Sequence, residues 1–143
     1  MKDNFIDLIN AGKFYLAKEL LQSFSEKEFL TFILDLTFET NLISIYTFMV
    51  FLLLEEETVF LHECSINVLQ ISMWEGANAS ALLHARRVSE LMPHDITQKA
   101  HVLSYFGNPD CTISRQEAIQ MAQEILLKDP QNRTALHTLE FLS

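Results

Sequence analysis

The feature that most constrains this chain is an uninterrupted apolar run, LISIYTFMVFLLL, which three glutamates follow directly. The charge-free stretch between Glu39 and Glu55 is shorter than the roughly 20 apolar residues that a membrane-spanning helix needs. A helix that is apolar on every side is, in a water-soluble protein, a helix that other helices surround. We therefore predict a buried helix over 42–56 in the middle of a helical fold. Anchoring in a membrane through 29–54 is an alternative reading.

The charge pattern argues against two classes of partner. The chain carries 19 acidic and 10 basic side chains, a formal net charge of −9. No Lys or Arg occurs from residue 28 to residue 85, so the basic flank typical of a membrane span is missing. The same negative charge repels a phosphate backbone and attracts a basic protein. We therefore expect no nucleic acid and no membrane as partners, and a basic protein instead.

Length and composition favour one helical domain. A chain of 143 residues is long enough to bury a hydrophobic core of its own. Its apolar share is 49%, yet it has only three Gly and three Pro, which favours long helices over a sheet with many turns. The predicted fold is all-α with no strands, a single domain over 1–143. The predicted helices are 3–11, 14–23, 26–39, 42–56, 58–74, 79–92, 95–106, 115–128 and 131–141.

Two helix starts are marked by the S-x-x-E pattern. It occurs at Ser25 to Glu28 and at Ser114 to Glu117, where the Ser hydroxyl and the Glu carboxylate can both bind amides of the first turn. Helices are therefore expected to begin after both serines.

Glycine and proline mark the other boundaries. Gly12, Gly76 and Gly107 are expected at sharp reversals between helices. Pro130 is predicted at the first position of a helix, where its missing N–H costs nothing, and Pro93 is predicted to end one helix and allow another to begin.

Three segments share a pattern in which Gly or Glu precedes a small Ala at the start of an apolar helix, and two of them close with a Pro. Ala81 and Ala118 are 37 residues apart, as are Pro93 and Pro130, a period typical of helical-hairpin repeats. The stretch EAIQMAQEILLKDPQN at 117–132 resembles the tetratricopeptide repeat, as do 62–93 and, in degenerate form, 3–24. This resemblance implies a superhelical stack of antiparallel hairpins that binds other proteins through a groove or face.

The resemblance also bears on three polar residues of helix 58–74. Some tetratricopeptide domains clamp the terminal carboxylate of a peptide with Asn and Lys or Arg. Asn67 occupies the place of such an Asn, but Glu63 occupies the place of the usual Lys and would repel the carboxylate. Clamp binding is therefore disfavoured. Glu63, Asn67 and Gln70 stay candidate partner contacts, with plain solvent exposure as the simpler interpretation.

No motif for catalysis, a cofactor or a metal is recognisable. The chain has no Walker loop, no dinucleotide fingerprint, no H-E-x-x-H and no G-x-S-x-G. Its five histidines are scattered, and Cys64 and Cys111 lack metal or redox spacing. We therefore expect a non-enzymatic protein without cofactor or metal. Unpaired cysteines and an N-terminus without the pattern of a secretory signal favour the cytoplasm.

The three glutamates after the apolar run are the strongest candidate for a docking patch. Glu55, Glu56 and Glu57 can attract a basic partner, although such runs often only keep a surface solvated. The Arg86-Arg87 pair is expected to bind nearby acids of the same helix such as Glu90, at i+4 from Arg86.

The function favoured by size and acidity is that of a bacterial immunity protein that neutralises a basic toxin, for example a nuclease. The alternative is a tetratricopeptide-like secretion chaperone or adaptor that holds an apolar peptide. Exposed rings among Phe29, Phe32, Phe48 and Phe51 would indicate a homodimer or another contact.

Overall fold

The computed structural model describes residues 1–143, and every regular element in it is a helix. The prediction of an all-α fold is therefore confirmed. The bounds are α1 Lys2–Asn10, α2 Phe14–Leu21, α3 Glu26–Thr40, α4 Ile43–Glu55, α5 Val59–Ile71, α6 Ala77–Leu91, α7 Ile96–Leu103, α8 Arg115–Lys128 and α9 Arg133–Leu142.

The chain divides into two compact units, Met1–Ala77 and Asn78–Ser143, which are described here one at a time. The superhelical stack and the single domain over 1–143 stay predictions.

Both S-x-x-E patterns begin helices as predicted. At α3 the Ser25 hydroxyl accepts the Glu28 amide at 3.2 Å, and the Glu28 carboxylate accepts the Ser25 amide at 2.8 Å. At α8 the Ser114 hydroxyl accepts the Glu117 amide at 3.1 Å. Each contact binds an amide that the first turn leaves without a helical partner, so the helix start is fixed locally.

The prediction for Pro130 is wrong. Pro130 lies in the turn before α9, and the helix begins at Arg133 because the Asn132 side chain accepts the Ala135 amide at 3.2 Å. Asparagine is a strong N-cap residue, and here it decides the start of the helix. Pro93 likewise lies in the turn between α6 and α7, and Asp95 caps the second of these helices.

The end of α7 is also earlier than predicted, at Leu103 rather than residue 106. After Leu103 the backbone hydrogen bonds span three residues instead of four. The Tyr105 amide donates to the Val102 carbonyl, and the Phe106 amide donates to the Leu103 carbonyl. These three-residue bonds tighten the chain out of the α-helix.

The three glycines mark reversals, as predicted. Gly12, Gly76 and Gly107 have φ of 70°, 78° and 92°, a backbone region that favours residues without a Cβ. The sequence analysis did not anticipate a fourth left-handed residue, Asn41 with φ of 49°, which ends α3 before the apolar run begins. Asparagine is one of the few side chains that tolerate this conformation.

The apolar run forms α4, but it is not enclosed on every side. One face of α4 is buried and carries Ile45, Phe48, Met49 and Leu52. On the other side Leu54 is 83% exposed. The expectation that other helices surround α4 completely is therefore wrong. No helix of the chain combines the length and the apolar character that crossing a membrane requires.

Aromatic rings fill the core of the first unit. Phe5 and Phe48 are fully buried, and their ring centroids lie 5.2 Å apart in an edge-to-face contact. Phe29, Phe32 and Phe51 are partly buried and pack against the same core. Such ring pairs add a small energy beyond the area they bury. The four rings whose exposure would have indicated a homodimer or another contact therefore contribute to the core.

Contacts between rings and polar atoms define how the helices of the first unit align. Two contacts show that α2 runs parallel to α4. The Phe14 ring contacts the Phe48 ring, and one turn further along α2 Lys18 contacts Glu55, near the end of α4. In the same way α3 runs parallel to α5. Near the start of both helices the ring centroids of Phe29 and Phe60 lie 5.9 Å apart, and just after both helices the Trp74 indole N–H donates to the Asn41 carbonyl. The end of α2, the start of α3, the end of α4 and the start of α5 are thus brought together.

In the second unit α8 packs against both α7 and α9. Its buried face carries Ala118, Ala122 and Ile125, at the i, i+4, i+7 spacing of a helix packed on one side. The Arg115 side chain donates to the Leu142 carbonyl at 2.7 Å and so binds the end of α9.

The prediction that the Arg86-Arg87 pair binds Glu90 is confirmed for Arg87 and wrong for Arg86. Arg86 donates to both carboxylate oxygens of Glu117, and it is the neighbouring Arg87 that binds Glu90, at 2.8 Å. Helix spacing alone suggested the partner, but a carboxylate on another helix offers the forked geometry that a guanidinium prefers.

Candidate functional site

The candidate site is a pocket of about 230 Å³ in the first unit, at the place where the ends of four helices meet. We call it the acidic pocket. Its floor is apolar and its rim is charged. The floor consists of Leu21, Phe29, Phe48, Leu52 and Leu61, and the rim of Lys18, Gln22, Glu55 and Glu56.

The floor belongs to the hydrophobic core. Leu21, Phe48 and Leu52 are buried, and Phe29 and Leu61 are half-buried. Because core side chains are held in place by close packing, the shape of the floor is fixed before any ligand arrives. A fixed apolar concavity is the kind of surface that accepts an apolar anchor from a partner protein.

The rim is negatively charged, with one internal cation. Lys18 Nζ lies 2.7 Å from Glu55 Oε2, and the Lys18 side chain is about half exposed. This hydrogen bond, together with the charges of Glu55 and Glu56, raises the pKa of the Lys18 ammonium. Lys18 therefore stays charged and neutralises one of the two rim carboxylates. Glu56 is exposed and has no ion pair, so its charge is the one that the rim presents to solvent.

The third glutamate of the run has a different role. Glu57 Oε1 lies 2.9 Å from Nε2 of His62, a buried histidine of α5. The cap of α5 is Thr58, whose hydroxyl accepts the Leu61 amide at 3.1 Å. Glu57 thus lies just before the start of α5, where the helix dipole favours a negative charge. Its contact with His62 ties the end of the run to α5.

The other predicted contacts are not brought into the pocket. Glu63 is exposed on α5, and its carbonyl accepts the Asn67 side-chain amide at 3.0 Å. Gln70 is exposed near the end of the same helix. None of the three lines the acidic pocket. Of the six predicted contacts, the structure groups Glu55 and Glu56 at the pocket, places Glu57 beside them, and separates the other three.

Sequence analysis missed most of the pocket wall. Lys18, Leu21 and Gln22 lie far along the chain from the glutamates and reach them only because α2 runs beside α4. The apolar periodicity of a helix predicts which face is buried, but it does not predict which other helix covers that face. The sequence carried no signal that singles out Lys18, because all four basic side chains of Met1–Ala77 lie within its first 27 residues.

Two further concavities are present in the chain. A wider, shallower concavity of about 500 Å³ lies along one side of α3, and a pocket of about 210 Å³ lies between α7 and α8. No group of three or more His, Cys, Asp or Glu side chains converges as metal ligands would. Burial raises the pKa of the Cys64 thiol to about 12, which removes it as a nucleophile.

Charge is distributed unequally between the two units. Met1–Ala77 contains twelve acidic and four basic side chains, a formal net charge of −8. Asn78–Ser143 contains seven acidic and six basic side chains, a net charge of −1. The acidic pocket therefore lies in the unit that carries nearly all of the negative charge.

In comparisons with known proteins, no protein-family model, no curated protein and no solved structure matches this chain.

Proposed function

We propose that this chain is a non-enzymatic, cytosolic protein-binding module whose partner is a basic protein. The observation that carries the proposal is the acidic pocket, an apolar concavity bordered by glutamates in a unit with a net charge of −8. A charged rim speeds the encounter with an oppositely charged partner and disfavours wrong partners. An apolar floor supplies the affinity that exposed charges alone do not.

Within this class the proposed role is that of an immunity protein that neutralises a basic toxin, for example a nuclease. An acidic inhibitor can imitate the charge of the nucleic acid that such a toxin binds, and the net charge of −8 on the first unit supports this role. The proposed architecture is the stack of helical hairpins that a tetratricopeptide-like sequence implies, since such stacks bind through a broad face.

The test is affinity capture from a lysate of the source cells, followed by work on the purified partner. We expect the captured protein to be basic, to bind with an affinity that falls steeply between about 0.05 M and about 0.5 M salt, and to be toxic when it is expressed alone. Co-expression of this chain should then restore growth. A partner that is neutral or acidic, or binding that salt leaves unchanged, would contradict the proposal.

A second candidate is a secretion chaperone or adaptor that holds an apolar peptide. The apolar floor of the acidic pocket favours it, as do exposed apolar side chains such as Phe38, which is 82% exposed. This candidate predicts binding of an uncharged apolar peptide with little dependence on salt, because burial of apolar surface is not screened by ions. The same salt series therefore distinguishes the two functions.

A further inference from the structure

In the free protein, a Lys side chain lies at the place in the acidic pocket where we expect a cation of the partner. The inference drawn from this contact rests on the proposed function. We propose that the acidic pocket binds a basic amphipathic segment, which inserts one apolar side chain and places a Lys or Arg beside Glu55. In the free protein Lys18 is ion-paired with Glu55 and therefore competes with the cation of the partner for this carboxylate.

The size of the pocket limits what it can hold. About 230 Å³ is less than the roughly 300 to 1,000 Å³ of typical small-molecule sites. It exceeds the roughly 150 Å³ of an engineered cavity that binds benzene. The space thus suits one large aliphatic or aromatic side chain, with an apolar floor that offers it no hydrogen bond.

The charges at the rim determine the chemistry beside that side chain. Glu55 and Glu56 lie next to each other along the chain and both line the pocket, and only Glu55 has a cation within contact distance. A segment that brings one or two cations satisfies both carboxylates. A second copy of this chain would bring a formal charge of −9 and be repelled, so the occupant is a basic partner and not a homodimer.

A cation of the partner can readily replace Lys18 in its contact with Glu55. Both side chains are reachable by solvent, and an ion pair of this kind contributes little net stability. Replacing one ammonium by another therefore costs little. Until that exchange occurs, the pair lowers the attraction of the pocket for a basic segment, so loss of Lys18 should strengthen binding.

The probe for the test is a short fluorescein-labelled peptide of Lys and Ala with a single central Leu, and its matched partner has Ser in place of that Leu. Binding to the full chain is measured by fluorescence anisotropy at low salt. Burying one Leu is worth enough that we expect about tenfold tighter binding, or more, for the Leu peptide.

Two pairs of variants distinguish the effect of the pocket on peptide binding from the effect of the overall charge of the protein. Lys18→Met removes the competitor and keeps an apolar stem, and Lys13→Met removes the same charge outside the pocket. We expect Lys18→Met to bind the Leu peptide about two- to fivefold more tightly than Lys13→Met does. Glu56→Gln should weaken binding by a similar factor relative to Glu63→Gln, which lies outside the pocket.

The outcomes distinguish this inference from the proposed function. If the two peptides bind equally, or if the variants in each pair behave alike, the pocket is not the docking site and this inference is overturned, while a basic partner captured in a salt-dependent way still supports the proposed function. If the Leu preference and both differences appear, the inference is supported. If neither peptide binds, the inference fails as well.

Discussion

At the scale of single residues, Phe48 links the core to the acidic pocket. Its ring is fully buried, meets Phe5 at 5.2 Å and Phe14 at 5.9 Å, and forms part of the pocket floor. A single side chain thus contributes to stability and to the shape of the site. Changes that empty this position should affect both.

Phe48→Ala should lower the free energy of unfolding by about 3 to 5 kcal/mol, because it removes a fully buried ring and leaves a cavity. The measurement is urea-induced unfolding followed by circular dichroism. Phe38→Ala is the matched control: its ring is 82% exposed, and we expect a change within about 0.5 kcal/mol. Equal effects of the two substitutions would contradict the packing described for α4.

The ion pair of Glu117 with Arg86 should make the stability of the fold depend on pH. The hydrogen bonds from Arg86, the charge of Arg86 and the Ser114 amide hold the pKa of the Glu117 carboxyl below its usual value of 4.5. A carboxyl whose pKa is lower in the folded state stabilises the fold above its usual pKa, and this contribution is lost as the pH falls through the lowered value.

Glu117→Gln should therefore lower the urea midpoint near neutral pH, by an amount that corresponds to at most about 1 kcal/mol for a partly exposed pair. The difference from wild type should shrink as the pH falls below the usual value of 4.5 and through the lowered pKa of Glu117. Glu140→Gln is the control, since that exposed side chain has no ion pair. A difference that stays constant from neutral to acid pH would show that the pair with Arg86 does not carry the effect.

At the scale of helices, local sequence determined where most elements begin. The N-caps at Ser25 and Ser114 and the reversals at Gly12, Gly76 and Gly107 were predictable because each depends on contacts or dihedrals within a few residues. The start of α9 was not predicted correctly, because two rules competed there and the side chain of Asn132 prevailed over Pro130.

Ser25→Ala should destabilise the chain by about 1 kcal/mol, because the Glu28 amide loses its acceptor at the start of α3. Urea titration measures this loss. Ser23→Ala tests the same chemical change two residues earlier, where the exposed side chain caps no helix. If both substitutions cost the same, the capping box does not stabilise α3.

Pairing between helices could not be predicted from the same local rules. The apolar run at 42–56 predicted a buried helix, but nothing near residue 55 in the sequence indicates that Lys18 lies against it. Arg86 shows the same limit: spacing suggested Glu90, and the partner is Glu117, 31 positions away. Contacts of this length depend on how helices pack, which periodicity alone does not specify.

At the scale of the whole molecule, the charge is concentrated. Met1–Ala77 has three times as many acidic as basic side chains, and only a few of the acids are paired, at Lys2, Lys18 and His62. Like charges on a compact unit repel one another and oppose folding. The excess of acid was predictable from composition, whereas its grouping beside an apolar concavity was not.

Added salt should therefore raise the stability of the protein. Between about 0.02 M and about 0.2 M sodium chloride the screening length falls from about 20 Å to below 10 Å, and the repulsion weakens. We expect the thermal midpoint to rise over this range, measured by circular dichroism. Replacing Glu19 and Asp35, two exposed acids without ion pairs, by Lys should reduce the rise. A midpoint that falls with salt would mean that the surface ion pairs outweigh the repulsion.

The corner at Asn41 offers one more consequence. Trp74 is the single tryptophan of the chain, and its indole N–H donates to the Asn41 carbonyl at 3.1 Å. Its ultraviolet emission is therefore a built-in local reporter for the junction of α3 and α4. A change in the wavelength or intensity of this emission would report on that corner without an attached dye and without a signal from any other indole.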